Sequence, residues 1–160
     1  MANKHANKNK KQKNRVATKK VDDKIDFKEL IMSLTETNKT TFQITMVLSI
    51  YKHPETLLEY ITQDEVDILE TEHKLAEETL EKIKNSLIIT LKVLRGELSE
   101  DDTTVIETIL EVGSYVSILE SLIGSTTEIL TKIPNEVTMD LIKLNQPIKE
   151  EKEENASTAN

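Results

Sequence analysis

Apolar residues between Asp26 and Asn145 recur at steps of three and four, and polar caps or a few Gly and Pro residues punctuate them. Asp26 is placed to N-cap a helix, with Glu29 at its third position, and Phe27, Leu30, Ile31 and Leu34 share one face. The polar run Thr35–Thr41 predicts a weakening or a break of that helix. Phe42–Tyr51 follows as a second short helix, and Pro54 opens a third whose buried side is Leu57, Leu58 and Ile61.

The strongest pattern begins at Thr62, where Thr62 and Glu65 have the spacing of a capping box. No Gly or Pro interrupts the chain from there to Gly96. Positions 66, 69, 73, 76, 80, 83, 87, 91 and 94 form a stripe that thins at His73 and Ala76. The predicted helix is about 50 Å long at 1.5 Å per residue. A second long helix is predicted from Ser99–Asp102 to Gly124, with Val105, Ile109, Val112, Val116, Leu119 and Ile123 as its stripe. The short connection makes the pair an antiparallel αα-hairpin. Ser125–Glu128 reads as another capping box, opening a short helix that ends before Pro134. Asn135 would cap a last helix carrying Val137, Leu141, Ile142 and Leu144. The fold class is therefore all-α: a helical bundle built on a long hairpin (about 63–95 and 100–123) with short flanking helices. It occupies residues 26–145 as one domain, between tails at 1–25 and 146–160 expected to be disordered.

Some positions do not suit a single buried stripe. On the first hairpin helix, Ile68, Leu75, Ile89 and Val93 make a partial second stripe. On the second, Gly113, Ser117, Ser121 and Gly124 lie about 80–100° from the apolar side, at 100° per residue. Glycine inside a helix costs around 1 kcal/mol against Ala, so close approach of another helix is the natural compensation. That helix is either a neighbour in the same chain or another subunit. These eight residues are the candidate protein interface.

Charge divides the chain further. Residues 1–24 carry eight Lys and one Arg against Asp22 and Asp23, a net +7, and the whole chain is −8, so residues 25–160 carry −15. Lys8, Lys10, Lys11, Lys13, Arg15, Lys19 and Lys20 have the composition of sequence-independent phosphate binding. No aromatic residue is interleaved to stack on bases. An acidic protein surface, such as the carboxylates on the long helix or the acidic tail of a neighbouring copy, competes as the arm's partner.

Several functions are excluded or disfavoured. The absence of Cys removes disulfides and thiolate metal sites. Three glycines, at 96, 113 and 124, supply no phosphate-cradling loop. His73 with Glu70 has the Glu-x-x-His spacing of di-iron carboxylate helices, but those sites need two such pairs. The expectation is therefore no metal and no cofactor, with His73 half exposed at the thin part of the stripe. No apolar run spans a membrane and no secretory leader is apparent, so the expected location is intracellular or within a virion, without a membrane or small-molecule partner.

A basic arm, helical body and acidic tail resemble the layout of small viral and phage proteins that sit between a packaged genome and its shell. The layout is also similar to that of phage small-terminase-like packaging subunits, which oligomerise through a central helical hairpin. The resemblance is one of layout and implies a non-enzymatic structural or assembly protein, oligomeric or docked in a larger assembly. Its body would make protein contacts, and its arm would meet nucleic acid or a neighbouring subunit. The alternative is a soluble regulatory adaptor binding DNA, RNA or a host protein through short helices at 26–62. That segment shows no basic face suited to a nucleic-acid groove.

Overall fold

The computed structural model describes residues 25–147. It is all-α, with no strand among the described residues. The helices are α1 (Phe27–Leu48), α2 (Pro54–Leu57), α3 (Gln63–Leu94), α4 (Thr103–Leu130) and α5 (Asn135–Asn145), with a 3₁₀ turn at Ser49–Lys52 before α2.

The N-terminal third differs from the sequence reading. Two short helices and a break were expected where one 22-residue helix stands. The threonines do not break it because their hydroxyls bond back to the helix's own backbone. Thr35, Thr37, Thr41 and Thr45 each donate to the carbonyl four residues earlier, at 2.7–2.8 Å. Their hydrogen-bonding needs are thus met without leaving the helix. The buried residues Phe27, Leu34, Thr41 and Leu48 repeat every seven positions and hold α1 lengthwise against α3. The hairpin therefore has a full-length third member rather than short flanking pieces. The expected helix at Pro54 is a single turn, burying Leu57 and, just beyond it, Ile61, while Leu58 stays outside.

α3 starts as expected. Thr62 caps it, accepting from the Glu65 N–H at 3.3 Å, while the Glu65 carboxylate accepts from the Thr62 N–H at 2.9 Å. Its end is also as expected: Gly96 takes φ +73°, the left-handed conformation that closes a helix. The stripe drifts, however. Val66, Leu69, Ala76, Leu80 and Ile83 are buried, but the buried line then continues through Ser86 and Thr90. Leu87 is half-buried, and Leu91 and Leu94 are exposed.

The hairpin connection runs over Arg95–Asp102, longer than the expected connection at about 96–99, and Asp102 rather than Ser99 caps α4. Gly124 does not stop α4. The helix continues through Ser125–Glu128, which is no capping box: Ser125, Thr126 and Thr127 donate to carbonyls of Leu122 and Ile123 inside the helix. Its buried face is rotated from the predicted one, to Val105, Thr108, Tyr115, Leu119, Leu122, Thr126 and Ile129. Ile109 and Val112 are half-buried, and Val116 and Ile123 are exposed. Steps of four and three through 105, 109, 112 and 116 were also available to a seam at 105, 108, 112 and 115. Burying Tyr115 with its hydroxyl 2.9 Å from Ser86 Oγ decides for the second. Asn135 is the first residue of α5 and supplies no side-chain cap; in α5 Leu141 and Ile142 are buried and Leu144 is exposed.

Two core clusters fix the directions. Leu34, Ile83 and Tyr115 meet at one end; Leu48, Val66, Leu69, Leu122 and Ile129 meet at the other. Hence α1 and α4 run parallel to each other and antiparallel to α3, which lies between them. α5 folds against the 3₁₀ turn and the end of α1.

Candidate protein interface

α1 and α4 both lean on α3 and barely touch each other, so a groove stays open between them. Ile44 and Val47 of α1 face Ile123 and Leu130 of α4 across a largely apolar hollow of about 270 Å³. Around the outside of α4 the surface continues with Ile106, Leu110 and Val116. Leu110 is 76% exposed, the highest value for any large apolar side chain of the described residues.

The predicted interface residues of α4 all lie on this outside. Gly113, Ser117, Ser121 and Gly124 are exposed. A Cβ built at Gly113 or Gly124 would meet nothing within 4 Å. A tight crossing inside the chain, one of the two explanations for these glycines, is therefore absent among the described residues. The α3 residues of the set are split: Ile68 and Leu75 are exposed, Ile89 and Val93 are half-buried. Sequence reading missed Ile106 and Leu110, and placed Val116 and Ile123 in the core. The available signal was their spacing: an apolar residue off the buried seam has nothing inside the chain to cover it. The charge pattern adds to it, since no Lys, Arg or His occurs between Arg95 and Lys132.

The arm cations Lys8, Lys10, Lys11, Lys13, Arg15, Lys19 and Lys20 lie outside the described residues. At the opposite end of the hairpin, Glu65 serves twice: it completes the α3 capping box and pairs with Lys132 beyond the end of α4. The Lys132 hydrogen bond, followed by that from the Thr62 backbone, holds the Glu65 carboxyl below the usual carboxylate range.

His73 is not half exposed but buried, 3% exposed, with its ring centroid 5.1 Å from that of Tyr51. Burial pushes its imidazole below the ordinary value of 6.5. The Glu77 carboxylate, 3.6 Å from Nδ1, opposes this and the Lys52 ammonium reinforces it. A His held neutral in the fold binds fewer protons than in the unfolded chain. Its contribution is intact above about pH 6.5 and is lost as pH falls from there toward the lowered folded value, at up to about 1.4 kcal/mol per pH unit. Urea unfolding at pH 7.5, 6.5 and 5.5 should show this decline in the wild type and a flatter profile in His73→Gln.

Among the described residues no three His, Asp or Glu side chains converge in a way that would hold a metal ion. No helix among them is long and apolar enough to cross a membrane. Comparison of the chain with protein-family models, with curated proteins and with solved structures gave no match.

Proposed function

We propose that this is a non-enzymatic assembly protein whose helical body joins copies of itself through the outside of α4, and whose arm attaches the assembly to nucleic acid. The observation that carries the proposal is the pair of helical glycines whose missing side chains make room for nothing among the described residues. Their cost of around 1 kcal/mol each calls for a partner outside it.

A second copy suits this face because the face complements itself. Antiparallel pairing of two α4 helices about Ser117 sets Leu110 of one opposite Gly124 of the other, and Gly113 opposite Ser121. It sets none of Glu107, Glu111, Glu120 and Glu128 opposite another carboxylate. Large residues against small ones, repeated by a two-fold axis, is the form an isologous interface takes. Sedimentation of the full chain tests it: a dimer or higher oligomer at micromolar concentration supports the reading, and a monomer throughout overturns it.

The arm's role rests on its charge and on the layout already described, which also makes a virus particle the setting we propose. Binding to double-stranded DNA should weaken with salt at a log–log slope of about −6 if some seven phosphates are neutralised. Deleting residues 1–24 should abolish that binding. Affinity that survives the deletion would transfer the role to the helical body.

A further inference from the structure

A cleft of about 760 Å³ lies on the opposite side of α1 from the α4 groove, where α1, the 3₁₀ turn, α3 and the end of α5 meet. Phe42 and Met46 form an apolar wall, Lys52 and Lys143 stand at its edges, His73 lines it from α3, and Pro147 marks where the chain leaves it.

Its hydrogen-bonding groups are unevenly spent. The Thr45 hydroxyl donates to Thr41 O at 2.8 Å and the Ser49 hydroxyl to Met46 O at 2.6 Å. Asn145 donates to Ser49 O and Oγ, and its carbonyl lies 3.0 Å from His53 Nε2. The charged groups left least spent are cationic. Lys52 makes no ion pair among the described residues, and Lys143 is shared with Asp140 on the surface at 3.0 Å. His73 Nδ1 is fully buried and has no hydrogen-bond partner among the described residues; the 3.6 Å to Glu77 is too long to be one. No Asp or Glu of the described residues lines the cleft. Ammonium groups beside an apolar wall suit an anion attached to an apolar group. Ser49 and Asn145 are at the C-terminal ends of α1 and α5, whose partial negative charge disfavours a dianionic phosphate and leaves a single carboxylate as the better fit.

We propose that this cleft binds the chain's own acidic segment, residues 148–154, with a carboxylate of Glu150 or Glu151 on Lys52, close to the His73 ring, and with Ile148 against Phe42 and Met46. The segment starts on the rim, at the residue after Pro147. Three or four extended residues, the separation of Glu150 and Glu151 from Pro147, reach about 10–13 Å. Its composition, Ile-Lys-Glu-Glu-Lys-Glu-Glu, supplies one large apolar group and four carboxylates. The basic N-terminal arm has the wrong charge for this cleft.

The test is NMR of the His73 imidazole and the Phe42 ring in the full chain. Glu150→Gln/Glu151→Gln should move both sets of resonances and lower the His73 titration midpoint by about one unit, as loss of a nearby carboxylate does. A chain ending at Pro147 should reproduce the shift with an unchanged thermal midpoint. Resonances unmoved in both variants overturn the proposal. A wild-type spectrum that depends on protein concentration also overturns it, because the segment would then come from another copy. So does a wild-type chain in which tens of millimolar acetate displaces these resonances, because the cleft would then be open to free carboxylates.

Discussion

Leu110→Glu should leave the fold intact and dissociate the assembly. Leu110 is 76% exposed in the single chain, so a carboxylate there stays in water and the melting temperature should stay within a few degrees of wild type. In the proposed pairing the same side chain is enclosed against Gly124 of the other copy, and the two-fold repeats the substitution. An unpaired buried carboxylate costs at least about 2 kcal/mol, so two of them should weaken dimerisation roughly a thousandfold. Gly113→Ala makes the argument sharper because its two effects have opposite signs. In the single chain the added methyl meets nothing, and the gain in helix propensity is about 1 kcal/mol of stability. In the pairing it separates the helices, and association should weaken. Calorimetry under dissociating conditions and sedimentation equilibrium read the two effects separately. Unchanged association in both variants would remove α4 from the interface.

The largest loss of stability should come from Leu122→Ala. Leu122 is fully buried in the cluster where α1, α3 and α4 meet, with Leu48, Val66, Leu69 and Ile129 around it. A Leu→Ala truncation at such a site costs about 2–5 kcal/mol, and the rigid helices on both sides leave little scope for collapse into the cavity. For a body of this size that is a fall of roughly 8–20 °C in melting temperature. By contrast Ile123→Ala, one residue along and on the open groove, should cost less than about 1 kcal/mol. Reversing that order would mean that the original stripe through Val116 and Ile123 is the buried one.

The parts of the fold legible in the sequence are those where a local signal acts alone. The Thr62–Glu65 box and Gly96 mark the ends of α3 within a residue because capping and positive φ are decided by neighbours in the chain. The length of α1 and the continuation of α4 past Gly124 were not legible for one shared reason. Threonine and serine look like breakers by propensity, yet inside a packed helix their hydroxyls bond back to the preceding turn. The rotation of the α4 seam was hidden by a near-tie between two apolar lines, settled by the partner helix at Ser86. At the candidate interface, the small residues of α4 were visible from their spacing. Leu110 was not, because knowing that a side chain lacks a partner requires knowing where every other helix lies.

The hydroxyls along the helix seams have a mechanical consequence. Because Thr41, Thr79, Thr90, Thr108 and Thr126 spend their hydrogens on their own helices, the seams between helices are smooth, with little that is directional across them. A seven-residue repeat on smooth rails is one that can be mis-set by a whole repeat, a slide of about 10 Å, with much of its packing preserved. Two pins prevent this for α4: Ser86 with Tyr115 near one end of the hairpin, and Glu65 with Lys132 near the other. Any slide must break both together, so two cross-helix contacts reinforce the axial setting that core packing gives α4.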